Sequence, residues 1–206
     1  MRERTDAGRG RTAAFILLFL VLGALLGAGS KFLDTQAVND LPQLFQTLDV
    51  TNFLGRSAVW ITLAVFIACL SGSPFRAAWY VFAFFLGMVG AYYLYSRFGA
   101  GFFPRSYAMI WFGLTLASPF LALLCWYAKG EGILGIVLSA CILAVLIDLT
   151  FSYGAFYVDL VSPLELVLLA ATLLLLRRKQ MVSMVVLAVA LAIAIHGVPF
   201  PWTGLS

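Results

Sequence analysis

The spacing of charged residues constrains this chain more than any other feature, because a helix needs about 20 mostly apolar residues to cross a hydrocarbon core of ~30 Å. Between Arg11 and Lys31 lie 19 uncharged residues, between Arg56 and Arg76 another 19, between Arg76 and Arg97 20, and between Arg105 and Lys129 23. Four spans follow. From Glu131 to Asp159 the 27 intervening residues hold one charge, Asp148, so a fifth span runs from near Gly132 to near Phe151. The 27 residues after Lys179 carry no charge, and 181–196 supplies another span, closed by Pro199 and Pro201. The remaining segment opens with Ser162 as an N-cap and Pro163 at the first helical position. Its 14 residues, 163–176, make about 21 Å of helix. Counted as a span it gives seven; six spans plus a re-entrant helix is the alternative.

Composition closes the other routes. The chain is 63% hydrophobic and 11% charged, against about 25% charged in soluble domains, which excludes a water-soluble fold. Only helices and closed barrels satisfy their backbone inside a bilayer, and the runs have helical length. The expected fold class is therefore all-α, a polytopic transmembrane helical bundle. Residues 1–12 form a basic cytoplasmic tail and 13–206 a single transmembrane domain. Leu41, Leu44, Phe45 and Leu48 fall on one stripe after Pro42, which predicts a short interfacial helix near 40–50, either a lid or a shield for helix ends.

Short cytoplasmic loops collect Lys and Arg. With the N-terminus inside and seven spans, nine basic residues are cytoplasmic (Arg2, Arg4, Arg9, Arg11, Arg76, Lys129, Arg177, Arg178, Lys179) and four are outside (Lys31, Arg56, Arg97, Arg105). This orientation puts the C-terminus outside, on the far face of a cell membrane. The net charge of +4 is then a topogenic signal facing anionic lipid, not affinity for nucleic acid. Ala28-Gly29-Ser30 has the small residues of a signal-peptide cleavage site, but the apolar run before it exceeds a typical h-region, which favours a retained span.

Candidate functional residues gather toward the outer end. Asp148 lies about 24 Å along a helix that starts at Gly132, a depth at which a carboxylate is expensive unless paired or wetted. Asp159 and Glu165 are expected on the same side, with Arg97 or Arg105 as their partners. Tyr92, Tyr93, Tyr107 and Trp111 accumulate there too, as a headgroup belt or the wall of a pocket. The candidate ligand-binding set is thus Asp148, Tyr92, Tyr93, Arg97, Arg105, Trp111, Asp159 and Glu165, while His196 reads as an interfacial residue. Pro119 removes a hydrogen bond to the carbonyl of Thr115 in mid-span, and Ser118 and Thr115 can re-satisfy the freed groups. That break either opens space for a ligand or improves packing.

Gly23-Ala24-Leu25-Leu26-Gly27 presents a small face that admits another backbone, from within the chain or from a second copy. Lys31 and Asp34, three apart, are placed to pair at the surface. The three cysteines, Cys69, Cys125 and Cys141, lie in apolar runs with no disulfide or metal spacing. No phosphate loop, His-Glu-x-x-His, Gly-x-Ser-x-Gly or Cys-x-x-Cys is present. No catalytic residue, cofactor or metal is expected.

The blocks Gly27-Ala28-Gly29-Ser30-Lys31-Phe32-Leu33-Asp34, Ser73-Pro74-Phe75-Arg76, Phe84-Phe85-Leu86-Gly87-Met88 and Ser118-Pro119-Phe120 through Gly130 resemble a family of small polytopic bacterial membrane proteins of unknown function. The resemblance implies a bacterial inner-membrane location and assigns no activity. In size and topology the chain is also similar to the substrate-binding membrane subunits of vitamin-type uptake transporters, which usually have six spans. Three functions remain open: a non-enzymatic transport or small-solute-binding component with an outward-facing polar and aromatic pocket; a structural or accessory subunit with a membrane-protein partner or a second copy; and an intramembrane enzyme acting on lipid.

Overall fold

The computed structural model describes residues 2–154, 156–176 and 179–196. Among them the chain is almost entirely helical: α1 (Arg2–Asp34), a 3-10 turn (Val38–Asp40), α2 (Gln43–Thr47), α3 (Val50–Gly55), α4 (Ser57–Leu70), α5 (Pro74–Phe98), α6 (Arg105–Ala128), α7 (Gly132–Thr150), α8 (Pro163–Leu175) and α9 (Met181–Ile195). Four of these supply segments long and apolar enough to cross a membrane: Gly10–Asp34, Pro74–Phe98, Arg105–Ala128 and Gly132–Thr150. Three shorter apolar helices, α4, α8 and α9, have 14, 13 and 15 residues. The chain is a membrane-embedded helical bundle.

Local sequence explains most boundaries. Ser73 and Ser162 are N-caps whose hydroxyls accept from the backbone of Arg76 (3.3 Å) and Leu164 (3.2 Å), each followed by proline at the first helical position. Charge spacing overshoots at one place. It predicts a span through 57–75, whereas α4 stops at Leu70 because Ser71-Gly72-Ser73 is extended or bent and Pro74 opens the next helix. The interfacial helix expected near 40–50 is two helices, broken at Asp49. That residue adopts a left-handed conformation (φ 51°) and accepts a hydrogen bond from Asn52 Nδ2 at 2.8 Å. The all-α expectation also omits an antiparallel pair, β1 (Phe151–Tyr153) with β2 (Val158–Leu160), in which Ser152 faces Asp159. The Arg177-Arg178 turn and the closing Pro199 and Pro201 lie outside the described residues.

The helices pack as two groups joined by α4. In one, α1 and α5 run parallel, with Phe15 and Phe19 against Tyr80 and Lys31 over the ring of Tyr92. A Cβ built on Gly23 or Gly27 would overlap the carbonyl of Phe84 or Met88, and one on Gly87 the carbonyl of Leu20. The glycine face of α1 is therefore filled within the chain. In the other group, Met184, Ala188 and Ala192 of α9, all essentially buried, accompany the buried Ala140, Leu143 and Ala144 of α7. α4 contributes Trp60 and Ala68 to the first core and Val65 and Cys69 to the second.

Side-chain bonds tie the C-terminal ends of α4 and α6 together. At the end that the charge bias assigns inside, Lys129 Nζ donates to the carbonyls of Cys69 and Ser71 (3.0 Å each) and Trp126 Nε1 donates to Ser71 (3.0 Å). A cation thus closes the C-terminus of α4, where the last carbonyls lack partners. In mid-α6 the carbonyl left free by Pro119 is taken up, because Ser118 Oγ donates to Thr115 O at 2.8 Å. Ser118→Ala is expected to leave that buried carbonyl unpaired and cost about 1–2 kcal/mol, read as a lowered midpoint in thermal unfolding of the detergent-purified protein.

Candidate functional site

Two cavities among the described residues bear on the candidate site. The smaller, of ≈ 30 Å³, is lined by Trp60, Tyr92, Tyr93, Tyr107 and Trp111 with Ser30 and the α3 terminus. Tyr107 and Trp111, four apart on α6, meet at 6.3 Å between centroids as helical spacing dictates, and the adjacent Tyr92 and Tyr93 meet edge to face at 5.1 Å. The Tyr93 hydroxyl is buried and has no hydrogen-bond partner among the described residues. The space suits one or two small polar molecules such as water. Lys31 lies outside this lining, against the neighbouring face of Tyr92. Its side chain is only 4% exposed, bonded to Asp34 Oδ2 at 2.5 Å and set over the rings of Tyr92 (5.3 Å) and Phe102 (4.6 Å). The surface pairing expected for Lys31 and Asp34 is thus a buried cation held by one carboxylate and two aromatic faces.

The larger cavity, of ≈ 340 Å³, lies among α4, α5, α6 and α7 and touches Ile195 at the end of α9. One stripe of α7 forms a wall: Leu138, Cys141, Ile142, Val145, Asp148 and Leu149, at spacings of three and four. From α6 come Trp111, Ser118, Leu121, Ala122 and Cys125, the turns on either side of Pro119; Ile61, Val65, Val81 and Phe85 form the inner wall. Cys141, Leu121 and Leu124 are exposed while Val81 is buried, so the space opens sideways between α6 and α7 and ends deep in the bundle. Pro119 therefore borders open volume.

Asp148 is the only charged residue in this lining among the described residues. Its Oδ1 is 2.9 Å from His196 Nδ1 and 3.1 Å from the Tyr153 hydroxyl, and the Tyr153 and His196 rings stack at 3.9 Å. The same hydroxyl lies 2.8 Å from the carbonyl of Ala192. It has one proton, so it satisfies one acceptor at a time. Burial pushes it up to about 12, and the hydrogen bond to Asp148 and that residue's charge add to the shift, so it remains a donor at any physiological pH. Asp148 Oδ2 has no partner among the described residues.

The expected outer cluster is thus divided. Tyr92 and Tyr93 line the small cavity, Asp148 lines the large one, and Trp111 lines both. Arg97 and Arg105 are exposed and border neither; Arg97 sits beside the Phe98 ring at 6.0 Å. Neither arginine pairs with the acidic set. Asp159 is exposed and accepts from the backbone of Leu160 at 2.8 Å. Glu165 is fully buried on the first turn of α8 and takes its hydrogen bond from Arg56 Nε, while Arg56 Nη1 lies 3.8 Å from Asp49. Arg56, Tyr153 and His196 were the residues missed. The available signals were a lone arginine just before a span, a Tyr-Gly turn after another, and the only histidine, all at helix ends near the same face.

Among the described residues no group of three or more His, Cys, Asp or Glu side chains is arranged to hold a metal ion. Cys69 Sγ donates to the carbonyl of Cys125 at 3.2 Å, a packing role, whereas Cys125 and Cys141 face the large cavity. No family model, curated protein or solved structure matches the chain.

Proposed function

We propose that this chain is a non-enzymatic membrane component that captures or transports a membrane-soluble small molecule, held in the large cavity with its polar end at Asp148. The observation that carries this reading is a space of ≈ 340 Å³ with apolar walls and a single carboxylate at one end. Ligand sites typically span about 300–1,000 Å³ and combine apolar lining with a few placed polar groups. A side opening between two helices suits entry from lipid. The topology that goes with it is seven spans with the N-terminus cytoplasmic and Asp148 toward the outside. Its supports are the nine-to-four distribution of basic residues and the alternating direction of α4 to α9. The three short helices cover about 20–22 Å each, and flanking residues or local thinning of the bilayer take up the rest.

A photoactivatable single-chain lipid, supplied in nanodiscs and mapped by mass spectrometry, tests the cavity. The expected crosslinks include Val65, Val81 and Phe85, which bulk lipid does not reach. Crosslinks confined to exposed positions such as Leu121 and Leu124 would overturn the reading. Ala64→Phe, which fills the space, is expected to remove the internal crosslinks and leave the external ones.

An accessory role for a second copy on the glycine face of α1 is disfavoured, because α5 already occupies that face. The lipid-enzyme reading keeps one supporting observation, the pairing of Asp148 with His196.

A further inference from the structure

The ligand's head can be read from what surrounds Asp148, on the premise that the large cavity is the binding site. From Leu138 to Asp148 the lining stripe of α7 rises ten positions, about 15 Å at 1.5 Å per residue. That is about half of a ~30 Å hydrocarbon core, the depth of one leaflet and hence of one extended chain. The stripe ends at a carboxylate whose side chain is 18% exposed. Its Oδ1 is engaged by His196 and Tyr153, while Oδ2 has no partner among the described residues.

Among the described residues no lysine or arginine pairs with Asp148. Lys31 is held by Asp34 and two aromatic rings, and Arg56 by Glu165 and Asp49. An anionic head would therefore meet Asp148 with no lining residue to neutralise it. A hydroxyl head would gain one hydrogen bond. An ammonium would gain the bond and a Coulomb attraction little screened by the apolar walls.

We propose that the large cavity selects a single-chain amphiphile with a cationic amine head, which donates to Asp148 Oδ2 while its chain lies along the α7 stripe between α6 and α7. His196 holds the carboxylate by its other oxygen and fixes its direction, so it is a positioning residue.

The labelling rate of Cys141, which is exposed and lines the cavity, reports occupancy in the full-length protein. The protein is placed in phosphatidylcholine nanodiscs, a lipophilic maleimide is added, and Cys141 is followed by peptide mass spectrometry. Dodecylamine, dodecanol and dodecanoate are compared at equal mole fraction in the membrane. The amine is expected to slow labelling at about tenfold lower mole fraction than the alcohol, from the extra strength of a charge-assisted bond, with the carboxylate weakest. Asp148→Asn is expected to erase the amine's advantage and leave protection by the alcohol. Equal protection by amine and alcohol in the wild type, or an amine advantage that survives Asp148→Asn, overturns the head assignment and leaves the cavity reading standing. If no chain protects Cys141, the cavity reading itself falls. The wild-type comparison decides even where Asp148→Asn does not fold.

Discussion

Gly87→Ala is expected to lower stability by about 3 kcal/mol or more, the upper end of overpacking costs, because the added methyl meets backbone. A Cβ at Gly87 overlaps the carbonyl of Leu20, and the reciprocal collisions at Gly23 and Gly27 fall on the carbonyls of Phe84 and Met88. Side chains relieve a clash by changing rotamer; a carbonyl inside a helix moves only with its helix. In lipid there is no hydrophobic force between helices to offset a wider separation, and association depends on close van der Waals contact. Gly90→Ala is the matched control. It lies on the same helix with nothing within 4 Å of the built Cβ, so it is expected to be neutral or stabilising by up to about 1 kcal/mol from helix propensity. Unfolding midpoints of the two variants in one detergent check the contrast. Equal midpoints would mean that α1 and α5 do not approach as closely as these glycines require.

Features encoded within a few residues were legible in the sequence. Ser162-Pro163 announces a helix start that the structure places there, and the gap between Glu131 and Asp159 yields α7 to within a residue of its ends; Ser73-Pro74, which starts α5 in the same way, was passed over inside the uncharged run 57–75. The response to Pro119 was also local, since Ser118 lies within reach of the carbonyl that the proline abandons. Pairings across the bundle were not legible. Glu165 takes Arg56, 109 positions away, and Asp148 takes His196, 48 away, while the sequence reading offered Arg97 and Arg105. Periodicity states which side of a helix is polar, but not which helix it faces. The hairpin at Phe151–Tyr153 was missed because three-residue strands are too short to show a period of two. The aromatic residues of α5 and α6 line a cavity of only ≈ 30 Å³, a volume set by how the helices pack, which periodicity does not state.

Arg56 and Glu165 set up the second large effect, and its asymmetry is the informative part. Glu165 is fully buried and Arg56 is 29% exposed on its side chain, so the two lose different things when the partner goes. Arg56→Leu strands a carboxylate with no other cation bonded to it, and is expected to cost about 3–5 kcal/mol, as for other broken buried pairs. Glu165→Leu leaves an arginine that still has Asp49 at 3.8 Å and access to water, and is expected to cost less, on the order of 1–2 kcal/mol. Removing both charges in Arg56→Leu/Glu165→Leu should cost less than Arg56→Leu alone, because the stranded charge is gone, with a coupling of about 2–3 kcal/mol between the sites. The pair is not at its limit in the native protein. Nε and Nη2 project from the same edge of a guanidinium, yet Arg56 Nη2 and Glu165 Oε2 both lack partners among the described residues, so only one bond of a possible bidentate fork is made. Arg56→Lys, which supplies one point charge and no fork, should therefore fall closer to the wild type than to Arg56→Leu. A lysine variant as unstable as the leucine variant would show that the planar guanidinium, rather than its charge, joins α4 to the first turn of α8.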